Sequence, residues 1–323
     1  MIIPKQKIIP VISVIMLTYN REQYVSRAIE SILNQTFTDF EFILINNGSE
    51  DNSGEICDNY AKMDSRISVI HKEKGNIGSG RNAGLGAAKG EYIAFIDDDD
   101  TAEPDMLAFL YDLIIKYNAD ISICGSWRST DGVSTPKYVF DEVLELGTEQ
   151  AVVELLKREL YNVGFPCKML RRKLLSPPPF SVQGRYDDIT TAYKVFSAAQ
   201  NIAVHCLPKY TAYRHEKNNS AFSVEHQLLK HDILNEYLTA YRNRASWLSK
   251  KLPAIKEYAQ YSEWSFMISM CEKIERYEIT ECRGQLEQMR ATLINDKKAI
   301  VSCQYLKDFE RIWFEKILRY ICI

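Results

Sequence analysis

The stretch EYIAFIDDDD, residues 91–100, sets an apolar run against four consecutive carboxylates. Tyr92 to Ile96 reads as a strand, with Asp97, Asp98, Asp99 and Asp100 at its carboxyl end. Alternate side chains on an extended segment point the same way, so Asp97 and Asp99 can converge on one object while Asp98 points away. A hard divalent cation, Mg²⁺ or Mn²⁺, suits oxygen-only ligands and completes its shell with water and substrate phosphates. The same residues admit a second reading. Thr101, Glu103 and Pro104 begin an apparent helix, and acids at a helix start complement its dipole without any metal.

Upstream of this junction, Val11 to Leu17 is a continuous apolar run rich in β-branched residues, as expected of a strand buried on both faces of a parallel sheet. It ends in Thr18, Tyr19 and Asn20. From Arg21 to Gln35, the residues Val25, Ala28, Ile29, Ile32 and Leu33 recur at helical spacing. Phe40 to Ile45 is the next strand, broken by Asn46, Asn47, Gly48 and Ser49, and a helix with Ile56, Tyr60 and Met63 on one face leads to a third strand, Ile67 to Ile70. A loop from Lys74 to Gly80 precedes a small-residue helix, Arg81 to Ala88, and Gly90 turns the chain into the acid-bearing strand. Strict alternation of strand and helix predicts parallel βαβ units with right-handed crossovers, whose ligands bind outside the carboxyl ends of the strands. Thr18–Asn20, Asn46–Ser49 and Asp97–Asp100 all fall at such ends.

Two phosphate motifs are excluded. Gly78, Gly80 and Gly84 form GxGxxxG, one residue too long for the dinucleotide fingerprint, and GNIGSGRN (75–82) offers Arg81 and Asn82 where a P-loop requires Lys and Ser or Thr. Forty basic against 43 acidic residues, a formal net charge of -3, gives no electrostatic case for nucleic acid as the main partner. From Glu225 onward the chain carries 16 Lys and Arg against 14 Asp and Glu, so the tail is slightly basic. Eight cysteines show neither CxxC nor a disulfide framework, which implies a reducing compartment and excludes a zinc site. The run up to Leu17 is short and lacks a small-residue cleavage site, so no signal peptide is expected, and no apolar run is long enough to cross a membrane.

Downstream, Pro104 to Tyr117 reads as an amphipathic helix, Asp120 to Cys124 as a strand, and Glu149 to Leu160 as a helix, with Val139 to Gly147 undefined by pattern. Three prolines, 177–179, force an extended turn. Tyr186-Asp187-Asp188 opens a helix whose Ile189, Ala192, Tyr193 and Phe196 form its apolar face. A carboxylate there serves either as a general base for a hydroxyl nucleophile or as a helix cap. From Glu225 the pattern is helical, interrupted at Pro253. Leu306 to Ile323 places Phe309, Ile312, Trp313, Phe314, Ile317 and Tyr320 among Lys307, Arg311, Lys316 and Arg319, a stripe suited to packing on protein or to lying in a membrane interface.

Taken in order, ISVIMLTYN (12–20), FILINNGSEDNSGEICDNYA (42–61) and GNIGSGRNAGLGAAKGEYIAFIDDDD (75–100) resemble the inverting glycosyltransferases of family 2, and the resemblance thins out toward residue 220. It implies the GT-A fold, an α/β, Rossmann-like, mostly parallel sheet with helices on both faces, here followed by a C-terminal helical region. The implied organisation is a GT-A domain over 1–222, with a nucleotide-sugar half (1–100) and an acceptor half (101–222), and a helical extension over 223–323. Asp97 and Asp99 correspond to the DxD pair, with Asp99 as the metal ligand and Asp97 nearer the ribose, Asp98 beside them in the donor site. Thr18, Tyr19, Asn20, Asn46, Asn47, Gly48 and Ser49 would hold the nucleotide, with Arg81 near the base or diphosphate. Cys167 to Leu175 is similar to the family's basic segment before the acceptor region, and Tyr186-Asp187-Asp188 to its Glu-Asp motif, with Asp188 as general base. His215, in a segment similar to the one that closes the domain in relatives, is a candidate for the metal or a phosphate.

Asn46 and Asn47 depart from the family's paired aspartates. An asparagine carbonyl can still accept the uracil imide proton through a neutral hydrogen bond. The resemblance implies a metal-dependent hexosyltransferase using a UDP-sugar and a saccharide or lipid-linked saccharide acceptor, in bacterial capsule, exopolysaccharide or O-antigen synthesis. It implies a cytoplasmic location, peripheral on the inner membrane face, with membrane contact or homo-oligomer formation through the C-terminal helices. A silent sugar-nucleotide-binding or scaffold subunit, and a sugar nucleotidyltransferase, are the alternatives.

Overall fold

The computed structural model describes residues 9–215, 218 and 226–319. The chain forms two compact units, Met1–Ala151 with Arg158–Arg214, and Val152–Lys157 with His215–Ile323.

In the first unit four parallel strands, β1 (Ile12–Thr18), β2 (Phe40–Asn46), β3 (Ile67–His71) and β4 (Tyr92–Asp97), alternate with α1 (Val25–Leu33), α2 (Ser53–Met63) and α3 (Ile77–Ala87). They lie in the order β3-β2-β1-β4, and the register sets Thr18 beside Asn46 and Leu17 beside Asp97. Three polar strand ends therefore share one edge. Ile12, Val14, Ile15, Met16 and Ile43 are fully buried, so both faces of these strands are covered and the apolar runs are continuous rather than alternating.

Two local readings of the sequence are corrected. Helix α3 begins at Ile77 rather than Arg81, because the Asn76 Oδ1 accepts the Ser79 N–H at 2.8 Å and caps it. The four acids do not open a helix: they lead into β5 (Thr101–Ala102), and α4 (Met106–Tyr117) starts later, so helix-dipole complementation does not account for them.

The sheet continues through β6 (Ile121–Thr130), β7 (Val133–Lys137), β8 (Val143–Gly147), β9 (Lys168–Arg171) and β10 (Asn201–Arg214), with α5 (Thr148–Lys157) and α6 (Asp187–Phe196) between them. The full order is β3-β2-β1-β4-β9-β6-β10-β5, with β9 antiparallel between β4 and β6 and β10 parallel to β6. Strand β6 runs well past the Cys124 limit expected from pattern, into a hairpin with β7 whose turn residues Asp131 and Gly132 have φ of 50° and 81°. An Asp-Gly pair is the residue choice that such a left-handed two-residue turn requires. β10 pairs with β8 along its first half and with β5 along its second, and the register shifts on either side of Pro208, which has no N–H to donate.

The second unit contains α7 (His231–Lys251), α8 (Lys256–Arg276), α9 (Arg283–Asn295), α10 (Lys297–Ser302) and α11 (Asp308–Arg319). Glu310, almost wholly buried, accepts hydrogen bonds from Tyr261 Oη at 2.9 Å and Ser265 Oγ at 2.5 Å, fixing α11 on α8. The C-terminal stripe divides: Phe314 and Ile317 are buried, whereas Phe309 and Ile312 are 46% and 58% exposed. Tyr320 lies outside the described residues. Among the described residues no helix is long and apolar enough to cross a membrane, and the cysteines are free thiols.

Glu41 ties the starts of three strands together. It accepts the Ser13 hydroxyl at 2.7 Å, the Lys89 N–H at 2.6 Å and the Lys89 ammonium at 3.1 Å, while Ser13 Oγ accepts the Gly90 N–H at 2.8 Å. Burial raises the Glu41 carboxyl, and these hydrogen bonds more than reverse it, leaving it below the ordinary 4.5. A depressed folded value contributes stability above the ordinary value and loses it as pH falls through the folded one. Glu41→Gln is therefore expected to cost about 1–2 kcal/mol at pH 7. In urea titrations at several pH values, that difference should shrink on acidification below the ordinary glutamate range.

Candidate active site

Strand β4 ends at Asp97, and Asp98 and Asp99 lie in the turn that follows, so the two-residue alternation expected from the sequence does not carry through the four acids. Asp98 accepts the Tyr19 N–H at 3.3 Å, with Arg21 Nε at 3.7 Å. Asp100 has both oxygens committed to β10, accepting the Tyr210 hydroxyl at 2.8 Å and the Tyr213 N–H at 2.9 Å. The Tyr210 oxygen also accepts the Asp97 N–H at 3.2 Å. Asp97 and Asp99 form the other pair: Asp97 leaves 49% of its side chain open to solvent, and Asp99 Oδ2 lies 3.8 Å from Arg21 Nε. The Asp99 carbonyl accepts from Arg27 at 2.7 Å, and that guanidinium stacks 3.7 Å from the Tyr213 ring.

Gathering four carboxylates on one loop is electrostatically unfavourable. Burial, together with the Asp99 charge, pushes the Asp98 carboxyl up to about 8. Burial pushes the Asp97 carboxyl up to about 6, opposed by Arg81 and reinforced by Asp99. Among the described residues no group of three or more His, Cys, Asp or Glu side chains makes a closed metal cage. Asp97, half open to solvent, and Asp99, largely buried beside it, nevertheless supply oxygen donors that suit a hard divalent cation, whose positive charge would relieve the repulsion and whose remaining ligands come from water and phosphate.

Arg81 links this loop to α6. Its guanidinium is almost buried: Nη1 donates to both carboxylate oxygens of Asp187, at 2.9 and 3.0 Å, and Nη2 lies 3.8 Å from Asp97 Oδ1. The rings of Phe95, Phe165 and Phe180 surround it at 5.4–5.5 Å. Segment 75–82, which fails as a phosphate loop, acts as a clamp. Asn76 donates to the carbonyls of Ser181 and Gly184 at 3.1 and 2.9 Å, and Asn82 exchanges hydrogen bonds with the Phe180 backbone at 2.8 and 3.2 Å. The clamp delivers the Tyr186-Asp187-Asp188 turn. Asp187 does not cap α6; Tyr186 holds the cap position and no side chain caps it. Asp188, less buried, has one oxygen on the Ile189 N–H at 2.7 Å and lies close enough to bear on the charges of Asp97 and Arg81.

The loops after β1 and β2 are cross-tied. Ser49 Oγ accepts the Asn20 N–H at 3.1 Å, and Asn20, at φ 53°, accepts the Glu50 N–H at 2.9 Å. Asn46 Oδ1 accepts the Ser49 N–H at 3.0 Å, which sets its amide nitrogen 3.0 Å from His71 Nδ1, and His71 Nε2 faces Asp58 at 2.9 Å. Asn47 donates to the Gly75 carbonyl at 2.8 Å and accepts from Lys72 at 3.0 Å. Each asparagine oxygen retains a second lone pair. Gly48, at φ 80°, passes so close to Lys74 that a Cβ would lie 2.6 Å from its nitrogen. Tyr19 accepts from the Lys74 ammonium at 2.5 Å, and Thr18 is buried at the β1 end facing Asp98. His215 falls in the second unit, where its backbone N–H donates to Asn218 at 2.7 Å.

Arg21, His71, Tyr210 and Tyr213 also contribute and escape a motif search. His71 was within reach, being one more polar residue at a parallel strand end. The tyrosines were not, because their contact with Asp100 spans 110 residues or more.

A mostly parallel sheet with a carboxylate loop after β4 and a second acidic turn opposite it is the GT-A architecture. Residues 13–176 match the model of glycosyl transferase family 2, and the chain belongs to that family. It is 33% identical over 201 residues to glycosyltransferase GlyG of Streptococcus pneumoniae, covering 59% of this chain and 66% of GlyG. It is 28% identical over 305 residues to GlyA of the same organism, covering 90% of this chain and 43% of GlyA. The chain thus spans less than two thirds of these relatives' length. Its fold resembles residues 1-349 of S. aureus TarS, solved in complex with UDP-GlcNAc, with TM-score 0.58, 23% identity and 88% of each chain covered. It also resembles the mannosyltransferase PcManGT of Pyrobaculum calidifontis, solved with GDP-Man and Mn²⁺, with TM-score 0.56, 14% identity, and 98% and 86% coverage.

The two acids of the α6 turn should separate by stability. Asp187→Ala strands the buried Arg81 charge and is expected to cost about 3–5 kcal/mol in chemical denaturation. Asp188→Asn should stay within about 0.5 kcal/mol of the parent. Equal losses would remove the distinction between a positioning and an available carboxylate.

Proposed function

We propose that this chain is an inverting, metal-dependent hexosyltransferase. It moves a sugar from a UDP-hexose to a hydroxyl of a saccharide acceptor, carried on a lipid, in surface polysaccharide synthesis. One observation carries the reading: Arg81 draws the rim carboxylate Asp97 and the α6 turn bearing Asp188 into one site. The kinship with GlyG and with the Bacillus subtilis glycosyltransferases EpsJ and EpsH, 40% and 49% identical over 152 and 134 residues, supports it. So do the UDP-GlcNAc bound by TarS and the Mn²⁺ held by PcManGT.

In this reading Thr18, Tyr19, Asn20 and the Asn46–Ser49 loop hold the nucleotide. The second lone pairs of Asn46 and Asn47 are the acceptors left for a base N–H. Asp99 and Asp97 would hold Mg²⁺ or Mn²⁺, which when bound neutralises charge developing on the diphosphate leaving group. Asp188 takes the proton from the acceptor hydroxyl as its oxygen attacks the anomeric carbon. The bond to the diphosphate breaks on the opposite side, so one displacement inverts the centre without a covalent intermediate. Asp187 and Arg81 position Asp188. Residues 1–100 form the nucleotide-sugar half of a catalytic domain extending to 222, 101–222 the acceptor half, and 223–323 the helical extension. The exposed Phe309 and Ile312 on α11 suit contact with the inner membrane face, where a lipid-carried acceptor resides.

Calorimetric titration of UDP, GDP and CDP, with and without Mn²⁺, tests the donor assignment. Metal-dependent preference for UDP is expected, and preference for another base would overturn uridine. Asp188→Asn should bind UDP with unchanged affinity yet lose about 10²-fold or more in transfer, the usual size of a general-base contribution. Asp99→Asn should lose metal-dependent donor turnover while remaining folded, and retained turnover would displace Asp99 as the metal ligand.

A further inference from the structure

The carboxyl ends of β2 and β3 gather a small polar network under α2. Parallel pairing sets Asn46 of β2 directly beside His71 of β3, and partners in register carry their side chains on one face of the sheet. Helix α2 follows β2, and its Gly54 and Asp58, one turn apart, lie over those two residues. A Cβ at Gly54 would fall 2.6 Å from the Asn46 amide nitrogen and 3.5 Å from His71 Cε1, so glycine leaves that amide its room.

The proton positions follow from one donor that has no alternative. The Ser49 backbone N–H can only donate, so the Asn46 atom 3.0 Å from it is the amide oxygen. The other end is then the NH₂ group, 3.0 Å from His71 Nδ1, and that nitrogen accepts. An imidazole whose Nδ1 is bare carries its proton on Nε2, and Nε2 lies 2.9 Å from the Asp58 carboxylate, which takes it as a hydrogen bond. Asp58, His71 and Asn46 thus form a relay with one consistent direction. Reversing the amide would set its NH₂ against the Ser49 N–H and its oxygen against the bare Nδ1, and switching the His71 tautomer to suit it would turn a bare Nε2 on Asp58.

Orientation matters because an amide has two unlike ends. A carboxylate at position 46 would offer oxygen at either end and need no orienting, whereas asparagine offers an acceptor at one end and donors at the other. The pyrimidine bases differ in the same sense: uracil presents N3–H and an O4 acceptor where cytosine presents a bare N3 and an N4–H₂ donor. We propose that His71 is a specificity-determining residue for the donor base. With Asp58 behind it, His71 draws the Asn46 amide hydrogens to itself and keeps the free lone pair of Oδ1 for a uracil N3–H, so that uracil is selected over cytosine. It acts through Asn46, as a positioning residue. The selection rests on the reading of the Asn46–Ser49 loop as the base site, whereas the orientation of the amide does not.

UDP and CDP, which differ only in the base, are titrated calorimetrically into the full chain with Mn²⁺. The parent should prefer UDP. In His71→Ala water, which both donates and accepts, replaces the ring, and the preference for UDP over CDP should fall by about fivefold or more, the worth of one hydrogen bond, with CDP binding more tightly than to the parent. An unchanged preference, or an equal weakening of both nucleotides as from a merely structural loss, would overturn the proposal. Asp58→Ala, at a half-exposed position, frees the His71 tautomer and should shift the preference in the same direction if His71→Ala does not fold. In an Asn46→Asp background His71→Ala should no longer lower the preference, and a fall of the same size there would overturn the orienting role. The free chain gives a reading without nucleotide: in two-bond ¹⁵N–¹H correlation spectra of protein labelled at histidine nitrogen, the signal lost in His71→Ala should be that of the Nε2–H form, and an Nδ1–H form would overturn the proposal. If neither nucleotide binds, the donor reading fails and takes the base selection with it, while the spectrum still reads the orientation. If both bind and the variants keep the parent preference, the assignment of His71 alone fails.

Discussion

The buried contact of Arg81 with Asp187 is the interaction on which the rest of the site depends. A guanidinium enclosed by three phenyl rings is costly to bury alone, and the carboxylate of Asp187 makes the arrangement tolerable. The rings come from β4, from the segment before β9 and from the stretch after the prolines. The charge thereby fixes three sequence-distant pieces to each other before any substrate is considered. Specificity of assembly, rather than net stability, is what a buried ion pair of this kind best accounts for.

Around that contact the acids divide their tasks. Asp98 and Asp100 anchor the loop to Tyr19, Tyr210 and Tyr213, Asp97 keeps half of its side chain open, and Asp99 lies largely buried beside Arg21. Four adjacent carboxylates would otherwise repel one another out of position. Holding two of them by hydrogen bonds lets the other two remain close. The raised proton affinities of Asp97 and Asp98 come first from burial, and the neighbouring carboxylates add to it.

The parallel half of the fold is legible in the sequence because strand and helix alternate there with almost no irregularity, and both faces of β1, β2 and β4 are covered. The two-residue period is a poor guide to the acids themselves, because the strand stops at Asp97 and a turn carries Asp98 and Asp99. Legibility fails where pairing is long-range. Nothing near Asp97 announces that Thr101 and Ala102 will leave the apparent helix to pair with β10, and Pro208 disguises a strand that continues past it. The β6–β7 hairpin is a different case: its Asp131-Gly132 signal stands in the sequence, and the interrupted apolar pattern around Trp127 and Arg128 hides it. The role of segment 75–82 is invisible locally, since its asparagines serve backbone carbonyls about a hundred residues away.

The link between Asp100 and Tyr210 has a consequence for how the protein comes into being. The chain emerges from the ribosome amino end first, so the acid loop appears some 110 residues before the tyrosine that orders it. Until β10 inserts beside β6, Asp100 lacks both of its donors and the Asp97 N–H lacks its acceptor. A nascent fragment ending before β10 carries the loops after β1, β2 and β4 and still lacks the donors that order the acid loop. The loop is therefore completed by one of the last strands of its unit to be made.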